Sequence, residues 1–241
     1  MKKLIDLSME VSGDMVVFPR VARPIMAMLE SWEEFATNIG AAQYGAKWLT
    51  AHYVVVLGDH VGTHVDSLRH MRDDAPGPDC IPLEYCYGDG VVLDFTDKPV
   101  GHGITAEDCR QALKRIDYTL KPLDIVLIKT GASRYNTELR YLSEHCGMTG
   151  ESTEWLLDQG IKMVGIDAPT WDRPVVSMFE TKEFWPGHVV MLSREYYHLE
   201  NMANLDALPV PFGFKVAVFP IKWKGTTAAP VRAVAFYDQE S

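Results

Sequence analysis

The sequence predicts an α/β fold in which mixed β-sheets carry helices on the outside. Three observations lead to it. Short apolar runs, Val126–Lys129 and Lys162–Asp167, have the length and β-branched content of buried strands. Between and before them lie stretches with helical period, and the order strand, helix, strand, helix, strand belongs to an α/β sheet. Many short extended segments at both ends of the chain, with few helices, point to mixed rather than purely parallel sheets.

The strongest helix begins at Thr105. Thr105-x-x-Asp108 is a capping pattern, and Cys109, Ala112, Leu113 and Ile116 recur at i, i+3, i+4 and i+7. A second helix is expected from about Ser133, with Tyr135, Leu139 and Leu142 on one face. A third runs from Gly150 to Gln159 and stops at Gly160. Further strands are expected at Ile5–Met9, Tyr53–Leu57, Val91–Phe95, His188–Leu192, Phe214–Pro220 and Val231–Tyr237. A short helix is expected over Met28–Phe35, where Trp32 and Phe35 are placed to reach a pocket or a neighbouring subunit. The loop Pro209–Gly213 is a rigid lead-in that could line a pocket.

Bulk properties bound the function. With 241 residues and no linker, repeat or low-complexity stretch, residues 1–241 read as one domain with a substantial core. Net charge is −10 without a basic block, which argues against nucleic acid. No apolar run is long enough to span a bilayer, and the N-terminus lacks the apolar region of a signal peptide. Four cysteines without CxxC spacing read as reduced thiols, so a cytoplasmic protein is expected.

Chemistry concentrates in His60-Val-Gly-Thr-His64-Val-Asp66-Ser-Leu-Arg-His70, where three imidazoles and a carboxylate fall within eleven residues. His64 and Asp66 are two apart, so in an extended segment they point the same way. A turn through Gly62 would bring His60 to them. Three ligands with an open position suit a catalytic divalent ion, whereas a structural zinc site is closed. His70, just beyond, is placed to act as general acid or base. Imidazole and carboxylate without thiolate suit Zn²⁺ or Mn²⁺ and do not separate the two.

This segment resembles the HxGTHxDxPxH signature of the metal-dependent cyclase superfamily, which includes kynurenine formamidases and isatin hydrolases. Leu68 stands where the signature has proline. The resemblance continues through Ile5–Ser8, Val126–Gly131, Gly165–Asp167 and Gly225–Arg232. It implies a swivelling β/β/α fold. It adds His188 and Glu200, twelve residues apart, to His60, His64 and Asp66 as ligands of one or two ions. Asp66 and Glu200 match the residues that bridge both ions in two-metal members. Phe18 matches a substrate-binding position that is usually tryptophan in the formamidases. His198 fits the spacing less well than Glu200, and His52, His102 and His145 lack partners at ligand spacing.

The implied activity is hydrolysis of a C–N or C–O bond in a small amide, lactam or lactone. An ion lowers the pKa of its bound water from 15.7 to about 7, giving hydroxide at neutral pH, and His70 carries the proton. Phe18 and Leu68 both depart from the formamidase pattern, which weighs against kynurenine formamidase itself. The alternatives are a non-hydrolytic cyclase or lyase and a metal-binding protein without turnover. The partner is a small molecule, and family members are commonly homodimers or homotetramers.

Overall fold

The computed structural model describes residues 2–238. Its strands are β1 (Lys2–Asp6), β2 (Ile25–Glu30), β3 (His52–Val56), β4 (His64–Asp66), β5 (Tyr87–Asp94), β6 (Gly103–Ile104), β7 (Ile125–Lys129), β8 (Gly147–Met148), β9 (Met163–Ile166), β10 (Tyr197–Glu200), β11 (Phe212–Ala217), β12 (Ala228–Pro230) and β13 (Val234–Asp238). The helices are α1 (Trp32–Asn38), α2 (Ala106–Arg115), α3 (Gly150–Asp158), α4 (Val175–Thr181) and α5 (Pro186–Val189).

Nine strands form one mixed sheet in the order β1-β13-β11-β5-β7-β9-β10-β4-β12. The middle of it, β5-β7-β9-β10, is parallel, and the pairings on either side are antiparallel. Parallel strands are covered on both faces and read as unbroken apolar runs. Ile125 to Ile128 and Met163, Val164 and Ile166 are accordingly all buried. The helices α2 and α3 pack against each other, and α3 against α5. Both longer helices start on reciprocal caps. Thr105 Oγ1 accepts from Asp108 N and Asp108 Oδ2 from Thr105 N, and Thr149 pairs with Ser152 in the same way. No helix among the described residues is long and apolar enough to cross a membrane.

Asp167 ties β9 to the turn after β7. Its carboxylate accepts from Thr130 N and Oγ1 at 2.6 and 2.7 Å and from Gly131 N at 2.9 Å. Gly131 takes the left-handed conformation that this tight turn needs, with φ of 80°. Two of the segments that carry the family resemblance, Val126–Gly131 and Gly165–Asp167, therefore serve this junction.

Several sequence expectations need correction. The run His188–Leu192 is α5 followed by a 3₁₀ turn over Val190–Leu192, not a strand. Pro186 sits in the first turn, and Val189 and Leu192 face outward while Val190 and Met191 are buried. That is helical spacing within a uniformly apolar run. The helix expected from Ser133 is two separate 3₁₀ turns, Ala132–Tyr135 and Leu139–Leu142, because Glu138 is extended between them. The helix expected over Met28–Phe35 straddles the end of β2 and the start of α1, which Ser31 caps. Pro209 to Pro211 line a cleft with Val92, Asp94 and Ala112 that shares no lining residue with the cavity beside His60, His70 and His188.

The strand expected at Tyr53–Leu57 forms, as β3, but pairs only with β2 in a two-stranded arm separate from the large sheet. Its side chains are exposed throughout, as are those of β2 up to Leu29. Trp32 stacks on Trp48 at the arm's far end, with ring centroids 5.2 Å apart.

Candidate metal centre

The motif folds as its spacing requires. Gly62 adopts φ of 65°, turning His60 back toward β4, and a Cβ there would collide with Val11 Cγ2. Thr63 braces the turn: its hydroxyl donates to Asn201 O and accepts from Met9 N at 2.8 Å. His64 and Asp66 alternate along β4 and share one face. His60 Nδ1, His64 Nε2 and Asp66 Oδ1 then lie 3.0 to 3.2 Å from one another.

The distant part of the chain reaches the same place. His188, on α5, puts Nε2 3.6 Å from Asp66 Oδ2 and 3.5 Å from Glu200 Oε1. Glu200 Oε2 lies 3.6 Å from His64 Nε2. The two carboxylates are therefore split, one oxygen toward each half of the cluster. His198 joins as well, with Nε2 3.3 Å from Asp66 Oδ2. It is the residue that spacing passed over. A signal was available: His198-Leu199-Glu200 repeats the alternation of His64-Val65-Asp66.

These donors suit a divalent cation. Both Asp66 oxygens are buried and accept no hydrogen bond, an arrangement that is costly without a positive partner. Imidazole and carboxylate together, with no thiolate, match the donor set of zinc or manganese. Three imidazoles also have their second nitrogen engaged, which fixes the tautomer that presents a lone pair. His64 Nδ1 donates to Gly62 O at 2.8 Å, and His60 Nε2 contacts Thr227 Oγ1 at 2.9 Å. His188 Nδ1 lies 2.5 Å from Asp172 Oδ2. Asp172 is fully buried and also accepts from the backbone N–H groups of Gly187 and His188. Replacing Asp172 by asparagine is expected to weaken zinc binding about 10–100-fold, read by competition with a chromophoric chelator.

Charge in the cluster is strongly mutual. Burial works against a charged His60, but the Asp66 carboxylate, aided by Asp59 and Glu200, raises it to about 9. His70 goes the other way: burial pushes it down to about 4 despite Asp66, so it is neutral at physiological pH. His70 Nε2 is 3.6 Å from Asp66 Oδ2, and its ring centroid is 4.3 Å from that of His60.

A cavity of about 220 Å³ opens onto the cluster, walled by Phe18, Val21, Pro169 and Trp185, with His60, His70, His188 and Glu200 at its floor. Pro169 and Glu200 sit at or just past the carboxyl ends of β9 and β10, where open α/β sheets bind ligands. A larger cavity of about 640 Å³, lined by Asp6, Ser8 and Arg232 among others, contains none of the cluster's donors. His102 pairs with Asp108 and His52 with Glu30, and His145 is buried against Cys146 O. All three stand apart from the cluster, as expected.

The family described as "Putative cyclase" matches residues 5–173. That span holds Phe18, the eleven-residue motif and Asp172 but ends before His188 and Glu200. A kynurenine formamidase from Bordetella avium is 25% identical over 239 residues, covering 97% of this chain and 98% of that protein. Among solved structures, an isatin hydrolase bound to the product analogue thioisatinate aligns with a TM-score of 0.84 at 18% identity, covering 99% of this chain and 93% of the other. Isatin hydrolase A from Labrenzia aggregata aligns at 0.82 and 23% identity, covering 99% and 94%. These likenesses give the fold that the sequence resemblance implied.

Proposed function

The chain belongs to the cyclase family, and from that premise we propose that it is a metal-dependent hydrolase cleaving a C–N or C–O bond beside a carbonyl in a small amide, lactam or lactone. The observation that carries this reading is the convergence of His60, His64 and Asp66 with His188 and Glu200 under an apolar-walled cavity. The kynurenine formamidase and isatin hydrolase relatives support the bond type.

Zn²⁺ or Mn²⁺, one or two ions, would be held by His60, His64, Asp66, His188 and Glu200. A bound divalent ion supplies Lewis acidity, polarising a carbonyl oxygen and making a water in contact with it easier to deprotonate. The remaining work belongs to the protein. Phe18 and Trp185 clasp a flat, apolar substrate body and exclude bulk water. The cavity lies below the 300–1,000 Å³ usual for drug-sized ligands, so the substrate is small. His70, neutral at pH 7, takes a proton from the attacking water and passes it to the departing nitrogen or oxygen. The test is elemental analysis of the purified protein with a screen of N-formylkynurenine, isatin and simple lactones in ¹⁸O-labelled water. Bound zinc or manganese with label in the product supports hydrolysis. Turnover without label supports the cyclase or lyase alternative, and absence of bound metal contradicts the scheme.

Self-association is part of the same proposal. The strands β2 and β3 expose Ile25, Leu29, Tyr53 and Val55 among others, and every side chain of β3 is exposed. A monomer rarely leaves so large an apolar patch in water. Apart from Tyr53, the only ionisable side chains on these strands, Glu30 and His52, face one another at 3.2 Å, leaving the rest of the arm suited to a second copy. Light scattering should give a homodimer or homotetramer, reduced in size by the pair Leu29→Glu and Val55→Glu. A wild-type monomer would contradict it.

A further inference from the structure

The second half of the cluster carries one more imidazole than the first. Strand β10 runs antiparallel to β4 with His198 opposite Asp66 and Glu200 opposite His64. Alternate residues share a face, so these four side chains form a two-by-two block. His188 comes down onto it from α5. His188 Nε2 and His198 Nε2 lie 3.2 Å apart. Each is 3.5 Å from Glu200 Oε1 and 3.3 to 3.6 Å from Asp66 Oδ2. All four residues are buried.

The first half, by contrast, is His60, His64 and Asp66, and its His60 is the more exposed of the imidazoles that line the cavity floor with a donor nitrogen in the cluster. Four protein donors make a closed site and three leave a position open.

We infer that His198 is a fourth ligand that closes the second position. The chain then holds one cation firmly between Asp66, His188, His198 and Glu200. A second, exchangeable cation sits at His60, His64 and Asp66, facing substrate. This rests on the proposed metal-dependent reading and assigns different duties to the two positions within it. The competing arrangement is a hydrogen bond from His198 Nε2 to His188 Nε2. That bond leaves Asp66 Oδ2 buried with no partner, whereas a cation among the four donors satisfies all of them. Asp172 already takes the Nδ1 proton of His188, so the Nε2 lone pair of His188 is free to bind.

The experiment uses zinc-loaded full-length chain, dialysed against a chelator and assayed for retained zinc by elemental analysis, with affinities from competition titration. Wild type should keep one equivalent that resists the chelator. His198→Leu should lose it, with affinity down by more than about 10²-fold, beyond what losing a ligand's hydrogen-bond partner costs. His198→Cys, which restores a donor, should recover it, and His60→Leu should keep it while losing the other. Melting curves of the metal-free variants show that each is folded. A resistant equivalent that survives His198→Leu overturns the inference, as does one removed equally by His60→Leu. If wild type turns over substrate with metal yet His198→Leu keeps its tight equivalent, only this inference fails. If wild type binds no divalent ion, the proposed function fails with it.

Discussion

Asp66→Asn is expected to abolish turnover, by on the order of 10³-fold or more, because it removes the carboxylate shared by both halves of the cluster; loss of a single preorganised donor alone costs about 10²–10³. One Asp66 oxygen faces His60 and His64 and the other faces His188 and His198. Among the described residues, Glu200 alone also faces both sides, and its Oε2 reaches only His64 in the first half. Metal content should fall with activity, and both are measured on one preparation.

The same substitution should act differently on the metal-free protein. There Asp66 is a buried carboxylate without a hydrogen-bond donor, compensated only by imidazoles that take up protons. His60 is raised to about 9 in the folded state, from an ordinary value of 6.5. Its contribution to stability is thus fully present below pH 6.5 and is lost as pH rises through about 9. Metal-free wild type should therefore lose stability across that window, and metal-free Asp66→Asn should lose less. Thermal melts of both proteins between pH 6 and 10 check the crossover. Parallel slopes would show that Asp66 and His60 are not coupled.

His70→Gln carries the second large effect and a different signature. General acid–base catalysis by a positioned side chain is worth about 10²–10⁴ in rate, so kcat should fall by that factor. Metal content should stay near wild type, since His70 belongs to neither group of converging donors. Glutamine keeps hydrogen-bonding capacity but cannot exchange a proton near neutrality. Unchanged kcat would remove His70 from the chemistry. Lost metal with lost kcat would make it a ligand instead of a proton carrier.

Much of the site could be read from the sequence because its first half is local. His60, His64, Asp66 and His70 fall within one short turn and strand, where a two-residue period and one flexible glycine decide which side chains meet. The capped helix at Thr105 and the buried strands at 125–129 and 163–166 were legible for similar reasons: caps and unbroken apolar runs are local signals. What escaped depends on neighbours far along the chain. His198 gains its position from register against β4, 132 residues earlier in the chain. Asp172 is conspicuous only once α5 turns His188 onto it. The helical conformation of residues 186–189 was hidden because a wholly apolar run has no polar face to reveal its period, and Pro186 with Trp185 at φ of 46° sets it. The strand at Tyr53–Leu57 was legible from its β-branched composition, but its pairing with β2 alone, apart from the large sheet, was not.

The claim on which all of this depends is that imidazoles and carboxylates from residues 60–66 and 188–200 enclose a divalent cation. Anomalous diffraction from zinc-soaked crystals, recorded on both sides of the zinc absorption edge, tests it directly. The account predicts a peak about 2.0–2.2 Å from His60 Nδ1, His64 Nε2 and Asp66 Oδ1, and a second among Asp66 Oδ2, His188, His198 and Glu200. A map with no anomalous peak among these side chains, or with zinc bound only elsewhere on the molecule, would contradict it.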